Sequence, residues 1–95
     1  MKKVTFNIQN RKDTQPVEGY LLVDFPKFPA GSVAVHRKPG YDKSWKVSHI
    51  PTGYAISPGW GYNTRKQAIE KTIERVNQVD QAMVDKCIAS APVIN

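Results

Sequence analysis

The sequence predicts an α+β fold, in which an antiparallel sheet of four to five strands packs against one long C-terminal helix. Before residue 62, apolar and polar residues alternate in short segments, a pattern typical of strands with one buried face. Proline and glycine separate these segments, which favours hairpin connections. From residue 64 onward the apolar residues recur at helical spacing in a single stripe. At 95 residues the chain is one domain, with the sheet in 1–62 and the helix in 64–90.

Short β-prone segments separated by turn residues supply the predicted strands. Residues 17–25 have an apolar centre that indicates a strand covered on both faces. The tight turn at Pro51-Thr52-Gly53 would lead into a short return strand, since proline presets φ and glycine accepts a positive φ. The predicted strand segments are 4–8, 17–25, 32–37, 45–50 and 54–56.

The helix has a clear start. Thr64 and Gln67 fit a capping box, in which each side chain bonds the backbone near the other. A helix from about Arg65 to Ser90 would be roughly 39 Å long and would overhang so small a sheet. A second copy of the chain would then cover the overhanging stripe and make a homodimer, whereas a kink at 77–80 would remove the overhang. The stripe residues are Val79, Met83 and Cys87, the last predicted as a buried structural thiol.

Charge is unevenly distributed along the chain. The formal net charge is +6, and residues 1–63 carry nine Lys/Arg against four Asp/Glu. Such a local excess attracts polyanions, although it also keeps a surface solvated. The chain shows neither a bilayer-spanning apolar run nor the apolar block of a signal peptide. With the single Cys87, these features predict a cytoplasmic protein.

Catalytic and metal-binding patterns are weak. His36 and His49 lie on neighbouring predicted strands and could cleave RNA by general acid–base chemistry, although surface or core histidines are commoner. One cysteine and two histidines without ligand spacing predict no metal site. No glycine-rich phosphate loop is present, so no cofactor is predicted.

A binding face follows from strand parity. If Val33, Val35 and Val47 point at the helix, the side chains between them point outward and form a basic row. Trp45 shares parity with Val47, which favours a place in the core, whereas Trp60 lies in an exposed loop. Lysines of such a row would contact phosphates, and loop aromatics would stack on unpaired bases. The predicted contact residues are His36, Arg37, Lys38, Lys43, Lys46, Ser48, Trp60 and Tyr62.

Residues 32–76, with W-K-V-S-H-I-P-T-G-Y-A-I at 45–56 and Y-N-T-R-K-Q-A-I-E at 62–70, resemble two groups of DNA-binding domains. These are the plant ethylene-response-factor domain and the arm-binding domain of tyrosine recombinases. The resemblance implies a three-stranded sheet in the DNA major groove, backed by a helix. The Trp-x-Val-x-His-x-x-Thr-Gly hairpin also resembles small uncharacterised phage and prophage proteins, which implies a genomic context.

Three functions remain open from the sequence. The favoured hypothesis is a non-enzymatic protein that binds nucleic acid through a basic sheet face. The alternative is a phage or prophage-type protein that binds and modulates a host protein, with Trp60, Tyr62 and Tyr54 as anchors. The third is a small ribonuclease.

Overall fold

A computed structural model describes residues 2–95, with the backbone alone for Tyr41 and Asp42. Within that range a single antiparallel sheet has the strand order β1-β2-β3-β4, and two helices follow it. The α+β class and the antiparallel sheet are confirmed. The strands are β1 Lys3–Gln9, β2 Thr14–Leu21, β3 Val33–Lys38 and β4 Tyr41–His49, and the helices are α1 Arg65–Asn77 and α2 Gln81–Ser90.

The predicted return strand at residues 54–56 is not a strand. Ala55 forms one isolated bridge with Ser48. The N–H groups of Ile56 and Ser57 then both donate to the Val47 carbonyl, at 2.8 and 3.2 Å. Because two successive residues share one acceptor, the segment turns away from β4 instead of continuing the ladder.

The predicted single long helix is wrong, and the alternative of a break at 77–80 is confirmed. The Gln78 and Val79 N–H groups bond back three residues, to Arg75 and Val76, which tightens and ends α1. Asp80 then has extended backbone and begins α2. Lys27 donates its ammonium to the carbonyls of Asn77 and Val79, so a side chain from the distant β2–β3 connection stabilises the break.

The start of α1 agrees with the sequence. The Thr64 hydroxyl accepts from the Gln67 N–H at 3.0 Å, and the Gln67 side chain accepts from the Asn63 N–H at 3.3 Å. The second bond reaches one residue further than a standard capping box. α1 packs on β3 and β4, so this cap places the helix over the apolar side of those strands.

The main core lies between α1 and one face of the sheet. Strand β2 ends at Leu21, earlier than predicted, and Leu22 and Phe25 are buried in the connection after it. Partly buried aromatics, among them Tyr20, Trp45 and Tyr62, border this core. Its buried residues are Leu22, Phe25, Val33, Val35, Val47, Ala68 and Val76.

The opposite face of the sheet is also covered, because the sheet curls until β1 meets the turn that follows β4. The Gln9 N–H donates to the Gly53 carbonyl at 2.8 Å. The Asn95 side chain bonds both the N–H and the C=O of Asn7. This closure buries a second cluster of Phe6, Ile8 and Ala34, with Val4, Val17 and Ile50 packed against it.

Gly19 permits the tight curl. A Cβ built at this position would lie 2.6 Å from the Val35 carbonyl oxygen and 3.0 Å from the His36 Cβ. Both neighbours belong to β3, and a backbone oxygen cannot rotate away as a long side chain can. β2 therefore approaches β3 more closely than any residue with a side chain would allow.

Candidate nucleic-acid interface

Two residues of the predicted basic row lie inside the protein. His36 is 0% exposed and Ser48 is 1% exposed. The His36 Nδ1 lies 2.8 Å from the Arg37 carbonyl, which can only accept, so Nδ1 carries the proton. The Nε2 then accepts from the Ser48 hydroxyl, also at 2.8 Å. The prediction that these two side chains point outward to solvent is wrong, because the curl of β1 covers their face.

The His36 and Ser48 side chains are as close as a catalytic base and its nucleophile would be, but both are buried, so a substrate cannot reach them. Burial lowers the pKa of His36, and nearby Lys46 lowers it further, while the bond to the Arg37 carbonyl raises it. The balance keeps the imidazole neutral, with both ring nitrogens bonded. We therefore interpret the pair as a satisfied polar part of the second core.

His49 is enclosed as well. It is 3% exposed, its Nδ1 lies 2.8 Å from the Thr52 hydroxyl, and its ring lies 5.5 Å from that of Phe28. Burial lowers its pKa. Neither histidine is thus placed as a solvent-facing acid or base for RNA cleavage.

Cations and aromatic rings meet instead on the α1 side of the sheet, beyond the area that α1 covers. The Arg37 guanidinium carbon lies 4.4 Å from the Trp45 ring centroid, and that of Arg65 lies 5.0 Å from the Tyr20 ring centroid. Arg37 and Trp45 are cross-strand neighbours in the β3–β4 register, so the pairing of these strands sets the stack directly. We call Lys3, Tyr20, Arg37, Trp45 and Arg65 the cation–aromatic patch.

Two cavities adjoin this patch. The first, of about 350 Å³, is called the patch cavity and is lined by Lys3, Glu18, Gly19, Tyr20, Arg37 and Trp45. Lys3 bonds Glu18 at 3.2 Å across it, with both side chains largely exposed. The hydrogen bond of Lys3 to Glu18, together with their charge attraction, raises the pKa of the lysine, so the ammonium stays charged.

The second cavity lies where β2 and β3 diverge. Their pairing extends from Leu21↔Ala34 to Gly19↔His36 and stops there. A space of about 510 Å³, called the β2–β3 cleft, opens beyond that point. It is lined by Gln15, Pro16, Val17, Glu18, Arg37, Lys38, Pro39 and Gly40. Glu18 and Arg37 line both cavities, so the two are neighbours along one surface.

The aromatic loop at 58–62 is tied to the patch. Tyr62 and Trp45 exchange both backbone hydrogen bonds, at 2.7 and 2.8 Å, which places Tyr62 beside the Arg37–Trp45 stack. Gly61 takes a φ of 72° and faces the Trp45 carbonyl. Trp60 is 71% exposed, in agreement with its predicted exposure.

The remaining predicted lysines have different environments. Lys43 is exposed on β4, whereas Lys38 and Lys46 are half-buried. Burial lowers the pKa of Lys46, and Lys38 lowers it further. All three lysines add to the positive field, but Lys38 and Lys46 are less open to a phosphate than the exposed Arg37 and Arg65.

Sequence reasoning missed Lys3, Glu18, Tyr20 and Arg65 as members of the site. A basic residue opening a helix and a tyrosine on a strand are common, and neither marks a site alone. Arg65 and Tyr20 are 45 residues apart in the chain, so only the tertiary fold brings them together. Trp45, predicted as core, is half-buried: it borders the core and carries Arg37 on its ring.

An apolar groove separates α2 from the end of β4. A space of about 260 Å³ is lined by Phe28, His49, Thr52, Tyr54, Ala55, Ile56, Cys87 and Ile88. Cys87 is exposed, so the prediction of a buried thiol is wrong: the break before α2 reorients its helix. We call this space the α2 groove. Met83 is 56% exposed nearby on α2.

Comparison of the chain with protein-family models, curated proteins and solved structures found no match. Among residues 2–95, no three His, Cys, Asp or Glu side chains are grouped so as to hold a metal ion. In the same range, no helix combines the length and apolarity that crossing a membrane requires. Function is therefore inferred from the geometry of the chain itself.

Proposed function

We propose that this protein is a non-enzymatic nucleic-acid-binding protein whose contact surface is the cation–aromatic patch. The observation that carries the proposal is the Arg37 guanidinium stacked 4.4 Å over Trp45, beside the Arg65–Tyr20 pair. A stacked guanidinium is pre-oriented, and its N–H donors match phosphate oxygens. The ring beneath fixes its plane, so less side-chain entropy is lost on binding.

Charge and composition of the patch suit a polyanion. It holds three cations, and Glu18 is the carboxylate that lines its cavity. Phosphate contacts supply most of the affinity of nucleic-acid binders, while aromatic rings and arginine planes contact bases. Lys38, Lys43 and Lys46 extend the positive field along β3 and β4, which would steer a polyanion to the patch.

The proposed face differs from the row predicted by strand parity. Arg37 is among the predicted contact residues but lies on the opposite face from that row, and His36 and Ser48 are replaced by Tyr20 and Arg65. A cytoplasmic location forms part of the proposal, because the exposed Cys87 thiol stays reduced in that compartment. The phage or prophage context implied by the resemblance also remains a proposal.

Fluorescence anisotropy with labelled oligonucleotides over a salt series tests the proposal. Wild-type protein should bind at low salt and lose affinity as salt rises. The double variant Arg37→Ala/Arg65→Ala should reduce affinity at least tenfold and flatten the salt slope by roughly 1.4–1.8, for two lost phosphate contacts. The double variant Lys71→Ala/Lys86→Ala is the matched control, since it removes two exposed charges on the helices, away from the patch. Equal affinity of the Arg37→Ala/Arg65→Ala variant and this control would contradict the proposal.

A second candidate is the binding of a host protein through the α2 groove. Its apolar lining and the neighbouring exposed Met83 are features of protein interfaces. A host protein that binds there would bind immobilised wild-type protein but not the double variant Met83→Ser/Ile88→Ser. Arg37→Ala would leave such binding intact, which separates the two candidates. The ribonuclease hypothesis is not carried forward, because His36 and His49 are enclosed.

A further inference from the structure

We infer that the cation–aromatic patch takes an unpaired nucleotide strand in preference to a duplex, with one base entering the patch cavity. This inference rests on the proposed function and names the form of nucleic acid that the same site accepts.

The shape of the surface is the first reason. Proteins that read a duplex insert a protruding helix or β-ribbon into a groove. The cation–aromatic patch is instead recessed, with its cavity of about 350 Å³ between Tyr20 and Trp45. Cavities that hold small molecules are of about 300–1,000 Å³, so the patch cavity accommodates one nucleotide. A base held in a duplex stack cannot enter it.

The chemistry of the cavity wall is the second reason. Unpaired bases are recognised by stacking on aromatic rings and on guanidinium planes. Arg37 supplies such a plane, held over the Trp45 ring, and Tyr20 lines the same cavity. Lys3 and Glu18 add a donor and an acceptor at the same wall, which match the polar edge of an unpaired base.

The path of a strand is the third reason. The β2–β3 cleft of about 510 Å³ lies directly beside the patch cavity, and Glu18 and Arg37 line both spaces. A strand can therefore place consecutive nucleotides in the two recesses, with the linking phosphate at Arg37. Pro16 and Pro39 line the cleft. Because neither has a backbone N–H group, the two chain segments cannot close the cleft with backbone hydrogen bonds donated from those positions.

Tryptophan fluorescence tests the inference. The chain has two tryptophans, and Trp60→Phe leaves Trp45 as the sole reporter at the patch. We expect a 16-nucleotide mixed-sequence DNA to change the emission of this variant and to bind it at least tenfold more tightly than the matched duplex at equal salt. A second variant, Tyr20→Leu, should lower single-strand affinity roughly tenfold and leave duplex affinity within twofold.

The outcomes are distinguishable. If neither DNA binds at low salt, the proposed function itself fails. If both bind equally, the inference is overturned while the proposed function stands. If the single strand binds without a change in Trp45 emission, the strand lies outside the patch, and both the inference and the proposed contact surface are overturned. If Tyr20→Leu fails to fold, which circular dichroism would show, the Trp60→Phe comparison still decides.

Discussion

The replacement His36→Ala tests the finding that the curl of β1 turns the predicted outer face into a second core. His36 is 0% exposed and bonds both the Arg37 carbonyl and the Ser48 hydroxyl. Its ring also packs edge-on against Phe6, at 5.7 Å between centroids. The replacement would leave two buried polar groups without their partner and would create a cavity.

The size of the effect follows from these contacts. Each lost hydrogen bond costs about 1 kcal/mol or more, and the aromatic contact contributes about 0.5–1.5 kcal/mol. When the cost of the cavity left by the imidazole is added, we expect the free energy of unfolding to fall by about 3–5 kcal/mol. This corresponds to a loss of at least about 12 °C in Tm for a domain of this size.

Urea and thermal unfolding, followed by circular dichroism, would measure the change. Lys43→Ala is the control, because Lys43 is exposed on the neighbouring strand and should change stability by less than about 0.5 kcal/mol. A His36→Ala protein within about 1 kcal/mol of wild type would show that His36 faces solvent, and the description of the second core would be wrong.

Two further predictions concern buried residues of β2, β3 and β4. Burial lowers the pKa of both His36 and His49 below the ordinary value of 6.5, so the unfolded chain binds more protons just below that pH. Stability should be complete above about pH 6.5 and fall as the pH drops further; urea midpoints across pH 4.5–7.5 would measure this, and a flat profile would contradict it. Gly19→Ala should destabilise the fold strongly, because its Cβ would lie 2.6 Å from the Val35 carbonyl oxygen. Soluble Gly19→Ala protein that unfolds at the wild-type urea midpoint would refute the close approach of β2 and β3.

Local patterns predicted the fold class and much of the packing. The alternation in β3 and β4 correctly placed Val33, Val35 and Val47 on the helix side. The Thr64–Gln67 pattern correctly placed the start of α1. Both depend on residues close together in sequence, where spacing and hydrogen bonding dictate structure directly.

Long-range contacts determined what the sequence did not predict. The second face is covered because the Gln9 N–H reaches Gly53 and the Asn95 side chain reaches Asn7, contacts that no local pattern indicates. The helix break is held by Lys27, fifty residues before Asn77. The candidate site likewise depends on Arg65 meeting Tyr20.

The most direct test of binding at the cation–aromatic patch is a ¹⁵N–¹H correlation spectrum recorded during titration with single-stranded DNA at low salt. We expect the largest shifts at the Trp45 indole N–H and at the backbone amides of Tyr20 and Arg37, with the amides of 83–88 on α2 unchanged. Shifts confined to the α2 groove, or no shifts at saturating DNA, would contradict binding at the patch.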